Sequence, residues 1–440
     1  MKTDISHYQA RRLELASRMA EGIAIIPTAS EKVRNRDCHY PFRFDSHFYY
    51  LCGFAEPEAV IVVIAGDTPQ SLLFCRDKDP EREIWDGFRY GPAAAQEMFG
   101  FDAAYSIHDL DQRIVELMAD QPALYFPVGA DAEWDSRIVG WLNQVRAQTR
   151  SGIMAPDQLR DIRQPIDEMR LIKRPEELAL MRRAADISSQ AHRRAMQATR
   201  AGRFEYEIEA EFLHTFRRHG ADAPAYTSIV AGGGNACVLH YIGNNAELRD
   251  GDLLLIDAGC EYGGYAADIT RTFPVNGTFT GPQKDVYQLV LDAQSAAIEQ
   301  VASGRHWNQP HEAAVKVLAQ GMLDLGLLKG TLDGIIENGD YRRFYMHRPG
   351  HWLGLDVHDA GEYKQHGHWR ELQPGMVLTV EPGCYIRPAD DVAEAFWNIG
   401  VRIEDDALVT EDGCEYITEA APRSVADIED VMREAADGAA

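Results

Sequence analysis

No stretch of this 440-residue chain approaches the roughly 18 consecutive apolar residues of a membrane span. Positive charge is also scarce, with 44 lysines and arginines against 69 aspartates and glutamates and a formal net charge of −25. A surface of that sign repels phosphate backbones and anionic headgroups, which argues against nucleic-acid and membrane partners. The seven cysteines (38, 52, 75, 237, 260, 384 and 414) are scattered, odd in number and form no C-x-x-C pair. They fit free thiols in a reducing compartment better than a disulfide framework. The opening MKTDISHYQARRLELASRMAEG is polar and unlike a secretion signal, so a cytoplasmic enzyme is expected. There is no G-x-S-x-G, no phosphate-binding P-loop and no G-x-G-x-x-G. Nucleophile-elbow serine hydrolysis and dinucleotide binding therefore have no marker.

The chain is too long for one ordinary core, and its 45% hydrophobic content is that of a globular protein. Two domains are expected, 1–172 and 173–440, with the boundary beside MRLIKRPEELALMRRAADISS. The first reads as mixed α/β. Tyr8 to Glu21 and Ile107 to Met118 carry helical patterns, while GIAII, FYYLCGF, AVIVVIAG, SLLFCR and ALYFPVG read as strands. The second opens at Pro175, suited to a first helical position and followed by Glu176 and Glu177. An acidic helix, FEYEIEAEFLHTFRRHG, ends at Gly220. Beyond it the pattern falls into two similar halves, each with long helices before strand-rich hairpins. Helices start near Pro282 and Pro310, and MVLTVEP, NIGVRIED, ALVT and CEYIT close the chain as strands.

Five residues in this second part stand out: Asp257, Asp268, His351, Glu381 and Glu404. LLLIDAGCEYGGYAADITRTF reads as a hairpin with Asp257 at the end of one strand and Asp268 inside the other. A turn at Tyr262-Gly263 would set Glu261 against Gly264 and Asp257 directly opposite Asp268, about 5 Å away. Facing carboxylates on an apolar hairpin repel each other and resist desolvation unless cations lie between them. Glu381 ends the strand of TVEPGCY, and Glu404 shares a strand face with Arg402 in VRIEDDALVT. MHRPGHWLGLDVHDAG holds three imidazoles. His347 and His351, four apart, share a face, whereas His358 would point away unless Gly354 makes a bulge. Oxygen-rich ligation with one imidazole favours hard or borderline divalent ions such as Mn²⁺ over a closed structural zinc site. Two such ions can supply hydroxide at neutral pH and polarise a carbonyl, a means of peptide hydrolysis without a Ser or Cys nucleophile.

The segments IDAGCEYGGYAADITRTF, HRPGHWLGLDVHDAG, LTVEPGCYI and VRIEDDALVT resemble the metal-site motifs of the pita-bread metallopeptidases. PFRFDSHFYYLCGFAEPEAV resembles the N-terminal domain of the aminopeptidase P group, so the likeness spans both expected domains. The resemblance implies a mixed α/β N-terminal domain and a C-terminal pita-bread catalytic domain with pseudo-two-fold halves. The implied activity is removal of the first residue from peptides with proline second, through a hydroxide bridging two divalent metals. Asp257 falls on a ligand of one ion, Asp268 and Glu404 on bridging carboxylates, and His351 and Glu381 on ligands of the other. Glu381 also matches a proton shuttle. His240 and His358 match residues that bond the substrate carbonyl and tetrahedral intermediate, and His347 one lining the proline side. Arg402 matches a supporting cation behind the ligands, Tyr385 a flanking aromatic, and Trp85 a lid residue offered by a neighbouring subunit. A homotetramer or homodimer is therefore implied. Arg348 departs from the pattern, which has smaller residues there, and its bulk and charge bear on substrate length at the pocket rim. An Xaa-Pro dipeptidase is the alternative activity. A metal-free binding protein and a metal-free amidine hydrolase on the same scaffold are disfavoured by the complete ligand set.

Overall fold

The strand Gly22–Pro27 is buried along almost its whole length, and the computed structural model, which describes residues 5–438, builds the first unit around it. The six-stranded sheet runs Ala103–Ser106, Gln70–Cys75, Val60–Ala65, Gly22–Pro27, Ala123–Phe126, Gln158–Asp161. Val60–Ala65 pairs antiparallel with both its neighbours, while the outer pairings are parallel. Runs such as VIVVIA are apolar on every residue because both faces of a mainly parallel sheet are covered. One cover is the helix Ala132–Arg146, whose N-terminus is capped by Asp131 accepting from the Glu133 and Trp134 amides. Its Ile138, Trp141, Leu142 and Val145 pack with Ile23, Ile25 and Val62 in one core.

The segment FYYLCGF is not a strand. Ser46–Cys52 is a helix capped by Asp45, which accepts from the Phe48 amide at 2.9 Å, and ended by Gly53 at φ 68°. A short run that is apolar all round gives no period to separate strand from helix, and here the caps decide.

The chain divides into two compact units, Met1–Arg170 and Leu171–Ala440. In the second, the helices Pro175–Ala198 and Glu205–Arg218 pack together, as do Gly281–Ile298 and Gln309–Asp324. Pro175 opens the first of these, and Glu177 reaches back to accept from the Arg174 amide at 3.0 Å. Each helix pair precedes antiparallel hairpins: Ile229–Gly232, Leu253–Asp257 and Thr270–Pro274 after the first, Val377–Val380, Asp405–Val409 and Cys414–Tyr416 after the second. Among the described residues no helix is long and apolar enough to cross a membrane.

The hairpin register departs from expectation. Tyr262 pairs with Tyr265, so the turn is Gly263-Gly264, both at positive φ (58° and 84°). Two consecutive left-handed residues are what a two-residue turn matching strand twist requires, and only the Gly-Gly pair adopts them freely. The pairing shifts by two: Asp257 faces Thr270, and Asp268 lies in the break between Tyr265–Ala266 and Thr270–Pro274 rather than inside a strand. At that break the chains nearly touch, and a Cβ on Gly259 would stand 1.8 Å from the Ala267 carbonyl oxygen.

Three buried polar side chains hold this region. Arg271 is fully buried, and all five of its N–H groups are used. Nε donates to Pro422 O, Nη1 to Thr270 O and Glu404 O, and Nη2 to Ala421 O and to Asp405 Oδ1 at 2.7 Å. Asp405, also fully buried, accepts in addition from Thr418 and Gln294. His192, wholly buried on the first long helix, meets the Ala258 carbonyl at 3.0 Å through Nε2 and packs edge-on against Phe212. Burial, reinforced by the charge of Arg271, lowers its imidazole to about 3.

Arg271→Met removes the buried cation paired to Asp405, leaving Arg423 at 3.6 Å as its nearest remaining charge, and is expected to destabilise the chain by about 3 kcal/mol in urea unfolding, with less lost when Asp405 is replaced by Asn as well. His192 stays neutral in the folded chain while the unfolded chain protonates it below about pH 6.5, so its stability contribution is complete above that pH and falls as the pH drops towards 3. Between pH 7 and pH 5 the wild type should therefore lose about 2 kcal/mol more than His192→Gln.

Candidate metal centre

Strand ends and tight loops of the second unit deliver the site residues to one cavity of about 650 Å³. Its lining includes Asp257, Asp268, His351, Glu381 and Glu404, and also His240, His347, Arg348, His358 and Arg402. Asp268, His351 and Glu404 each bring a ligand atom within 4.8 Å of the others. His351 Nε2 lies 3.5 Å from Asp268 Oδ2 and 3.7 Å from Glu381 Oε1. Asp257 joins the group through Tyr226, whose hydroxyl bonds its Oδ1 at 2.6 Å and also contacts Asp268 Oδ1.

Local backbone geometry explains how each side chain is aimed. Glu404 follows the strand Ile399–Arg402, and its amide donates to Thr270 O. The Thr270 hydroxyl then donates to Glu404 Oε2 at 2.6 Å, so the residue facing Asp257 across the hairpin also fixes Glu404. Glu381 lies just past Val377–Val380, its amide bonded to Pro349 O. Thr379 accepts from the His351 amide and donates to Glu381 Oε1, tying the two segments together. The His347–His351 loop lies so close to this strand that a Cβ on Gly350 would stand 2.1 Å from Thr379 O. The imidazole-rich segment is a turning loop rather than a bulged strand. It places the His351 and His358 rings 4.3 Å apart, and Gly354 lacks room for a side chain against Asp359.

Hydrogen bonds settle which nitrogen each ring presents. His351 Nδ1 lies 2.9 Å from Trp352 O, a bond only a protonated Nδ1 can make, so Nε2 is the atom turned to the carboxylates. His347 Nδ1 likewise meets Arg348 O at 2.8 Å, and its Nε2 accepts from the Tyr385 hydroxyl at 2.8 Å. Tyr385 in turn accepts from Arg402 Nη1, and Arg402 Nη2 donates to Asp257 Oδ2 at 2.7 Å. Arg402 thus donates in both directions, to Asp257 on one side and through Tyr385 to His347 on the other.

The charges gathered here are poorly compensated by the chain itself. Burial pushes Asp257 above the usual carboxylate range despite Arg402, and lifts Glu381 to about 7 against the pull of His351 and Arg402. Burial together with Asp268, Glu381 and Asp257 holds Glu404 well above its normal value. On Asp268 burial acts too, but the hydrogen bond and charge of His351 outweigh it and leave this carboxyl low. For His351, burial is overridden by Asp268 and Glu381, which raise it to about 9. Four carboxylates and one imidazole nitrogen lining one cavity, with Asp268, His351 and Glu404 within 4.8 Å of one another, fit divalent cations, which would relieve these shifts at once.

Two participants have no sequence marker. Tyr226 precedes the strand Ile229–Gly232 in an ordinary apolar context, and nothing nearby in sequence announces its carboxylate partners. Asp406 is fully buried with Oδ2 accepting from the Asp268 amide and Oδ1 unpaired. Burial and the Asp268 charge hold its carboxyl well above normal, and it orients the Asp268 backbone. Trp85 lies in the first unit on the short helix Pro80–Asp86 and is 83% exposed.

Residues 179–411 match the metallopeptidase family M24, and residues 8–125 match the N-terminal domain of aminopeptidase P. The chain is 46% identical to an Xaa-Pro aminopeptidase of Haemophilus influenzae over 427 residues, covering 97% of this chain and 96% of the relative. Among solved structures, an aminopeptidase PepP from Pseudomonas aeruginosa superposes with a TM-score of 0.97 at 48% identity, covering 99% of each chain. A zinc-substituted Escherichia coli aminopeptidase P in complex with product superposes with a TM-score of 0.96 at 44% identity, again covering 99% of each chain. Sequence and fold agree, and the chain belongs to metallopeptidase family M24, with an aminopeptidase P N-terminal domain preceding its metallopeptidase region.

Proposed function

We propose that this chain is a metal-dependent Xaa-Pro aminopeptidase that removes the N-terminal residue from peptides with proline in the second position. The observation that carries the reading is the convergence of Asp257, Asp268, His351, Glu381 and Glu404 on one cavity, in a chain whose relatives at 45–46% identity over 97% of its length bear that name. Those names favour it over the Xaa-Pro dipeptidase. In this reading residues 1–172 form the aminopeptidase P-type domain, and the catalytic groups lie in 173–440.

Asp257 would hold one divalent ion, His351 and Glu381 the other, and Asp268 and Glu404 would be shared. Mn²⁺ is the ion this oxygen-rich set suits best. When bound, the ions polarise the scissile carbonyl and make water a competent nucleophile at neutral pH. Glu381 takes the proton from the attacking water and passes it to the departing proline nitrogen. His240 and His358, both exposed on the cavity wall, donate to the oxygen where charge develops. The anionic floor attracts the substrate ammonium, which confines cleavage to the first residue. His347, kept neutral by burial, which lowers it to about 4, and held with Nε2 as the acceptor by its Nδ1 bond to Arg348 O, borders the proline side with Tyr385. Arg402 holds Asp257 and Tyr385 in place.

Beyond the site, Trp85 on its exposed helix beside Ile84 and Phe88 supports a homotetramer or homodimer in which this residue reaches a neighbouring site. Seven free thiols support a cytoplasmic setting.

Glu381→Ala should lower kcat on an Xaa-Pro-Yaa-Yaa peptide by roughly 10²–10⁴-fold, as loss of a proton-transfer group does, measured by release of the first amino acid. Near-normal turnover would remove Glu381 from the mechanism. Chelation should abolish release of the first residue, and added Mn²⁺ should restore it. Mass analysis showing cleavage elsewhere, or no metal in the active protein, would reject the assignment.

A further inference from the structure

The cavity is strongly polarised. Its floor carries Asp257, Asp268, Glu381 and Glu404, and its embedded guanidinium, Arg402, is 4% exposed and committed to Asp257, Tyr385 and Thr270. At the mouth stands a second guanidinium of a different kind. Arg348 is exposed, yet it is not loose: Nη2 donates to Asn308 Oδ1 and the guanidinium lies 4.7 Å over the Trp369 ring. Of its five N–H groups one is donated, so a planar fork of donors faces solvent at the rim. The residue is one step along the chain from His347, whose ring lies 3.8 Å from Glu381. Anionic floor and cationic rim thus lie in the order of the charges on a short peptide, ammonium first and carboxylate last.

The geometry points to Arg348 as a specificity-determining residue that grips the free C-terminal carboxylate of tripeptides of the form Xaa-Pro-Yaa. The inference rests on the aminopeptidase reading and adds to it the length of the substrate. A tethered guanidinium is suited to this task because it binds a carboxylate through two parallel N–H groups, with little freedom left to lose on binding. It lines the cavity one residue from His347, on the proline side of the aminopeptidase reading, and is exposed, so a carboxylate held there lies beyond the proline. One residue of extended chain moves the carboxylate outward by about 3.5 Å. In a bare dipeptide the carboxylate would sit deeper, beside the reacting centre.

The test compares kcat/KM for Ala-Pro-Ala with that for its C-terminal amide, and for the dipeptide Ala-Pro, in the Mn²⁺-loaded full chain. The wild type should prefer the free acid to the amide by roughly tenfold, a charge-assisted contact at a solvent-exposed rim. Arg348→Gln should bring that ratio close to one, Arg348→Lys should recover part of it, and Asn308→Ala, which frees the guanidinium, should give an intermediate value. The wild-type preference should also shrink as salt is raised. A ratio near one in the wild type, or one unchanged by Arg348→Gln, overturns the inference while leaving proline-second cleavage standing. So does a preference for Ala-Pro over Ala-Pro-Ala. Failure of all three peptides, together with a longer proline-second peptide, to release alanine would overturn the aminopeptidase reading as well.

Discussion

Negative charge withdrawn from water is the constraint on which the rest of the second unit depends. Asp257, Asp268, Glu381 and Glu404 lie within a cavity's width of one another, and Arg402 and His351 are too few to balance them. A folded chain tolerates such crowding only if its backbone is held firmly enough that the carboxylates cannot swing apart into solvent. The supports have that character. Thr270 and Thr379 each bond one of the glutamates, Asp406 holds the Asp268 amide, and Arg271 binds the carbonyls of Thr270 and Glu404. The polar groups beneath the site are therefore nearly as ordered as the site itself, which is what preorganised electrostatic catalysis requires.

Glycine plays the complementary part. Gly259 and Gly350 lie where chain segments approach too closely for any side chain, and Gly263-Gly264 sets the hairpin. Backbone against backbone allows strand ends and loops from distant parts of the sequence to converge on a volume small enough for metal ions. The same economy of space explains why His358, seven residues beyond His351, returns to lie against it.

Much of this was legible in the sequence, for an identifiable reason. An aspartate or glutamate at the end of an apolar strand is conspicuous, and four of them with a cluster of imidazoles leave few physical alternatives to cations. The helices opened by Pro175 and near Pro282 and Pro310 were legible through the prolines in their first turns. What failed was local geometry decided by a single residue or by a long-range contact. The turn at Gly263-Gly264 instead of Tyr262-Gly263 slides the register by two, which preserves the side-chain faces but removes the direct Asp257–Asp268 pairing. The helix Ser46–Cys52 hid behind an apolar run whose period is ambiguous. Tyr226 was invisible because its partners come 31 and 42 residues later, and a tyrosine beside a strand otherwise reads as packing.

The bond from His347 Nδ1 to the carbonyl of Arg348 has a further meaning. It engages the main chain at position 348 and ignores the side chain. The tautomer that serves Tyr385 is thereby insulated from whatever residue occupies the rim. A different outer side chain would retune which peptides enter while that main-chain bond, and the tautomer it sets, stays in place. Substrate range and chemical competence are separable traits in this architecture, divided at one peptide unit.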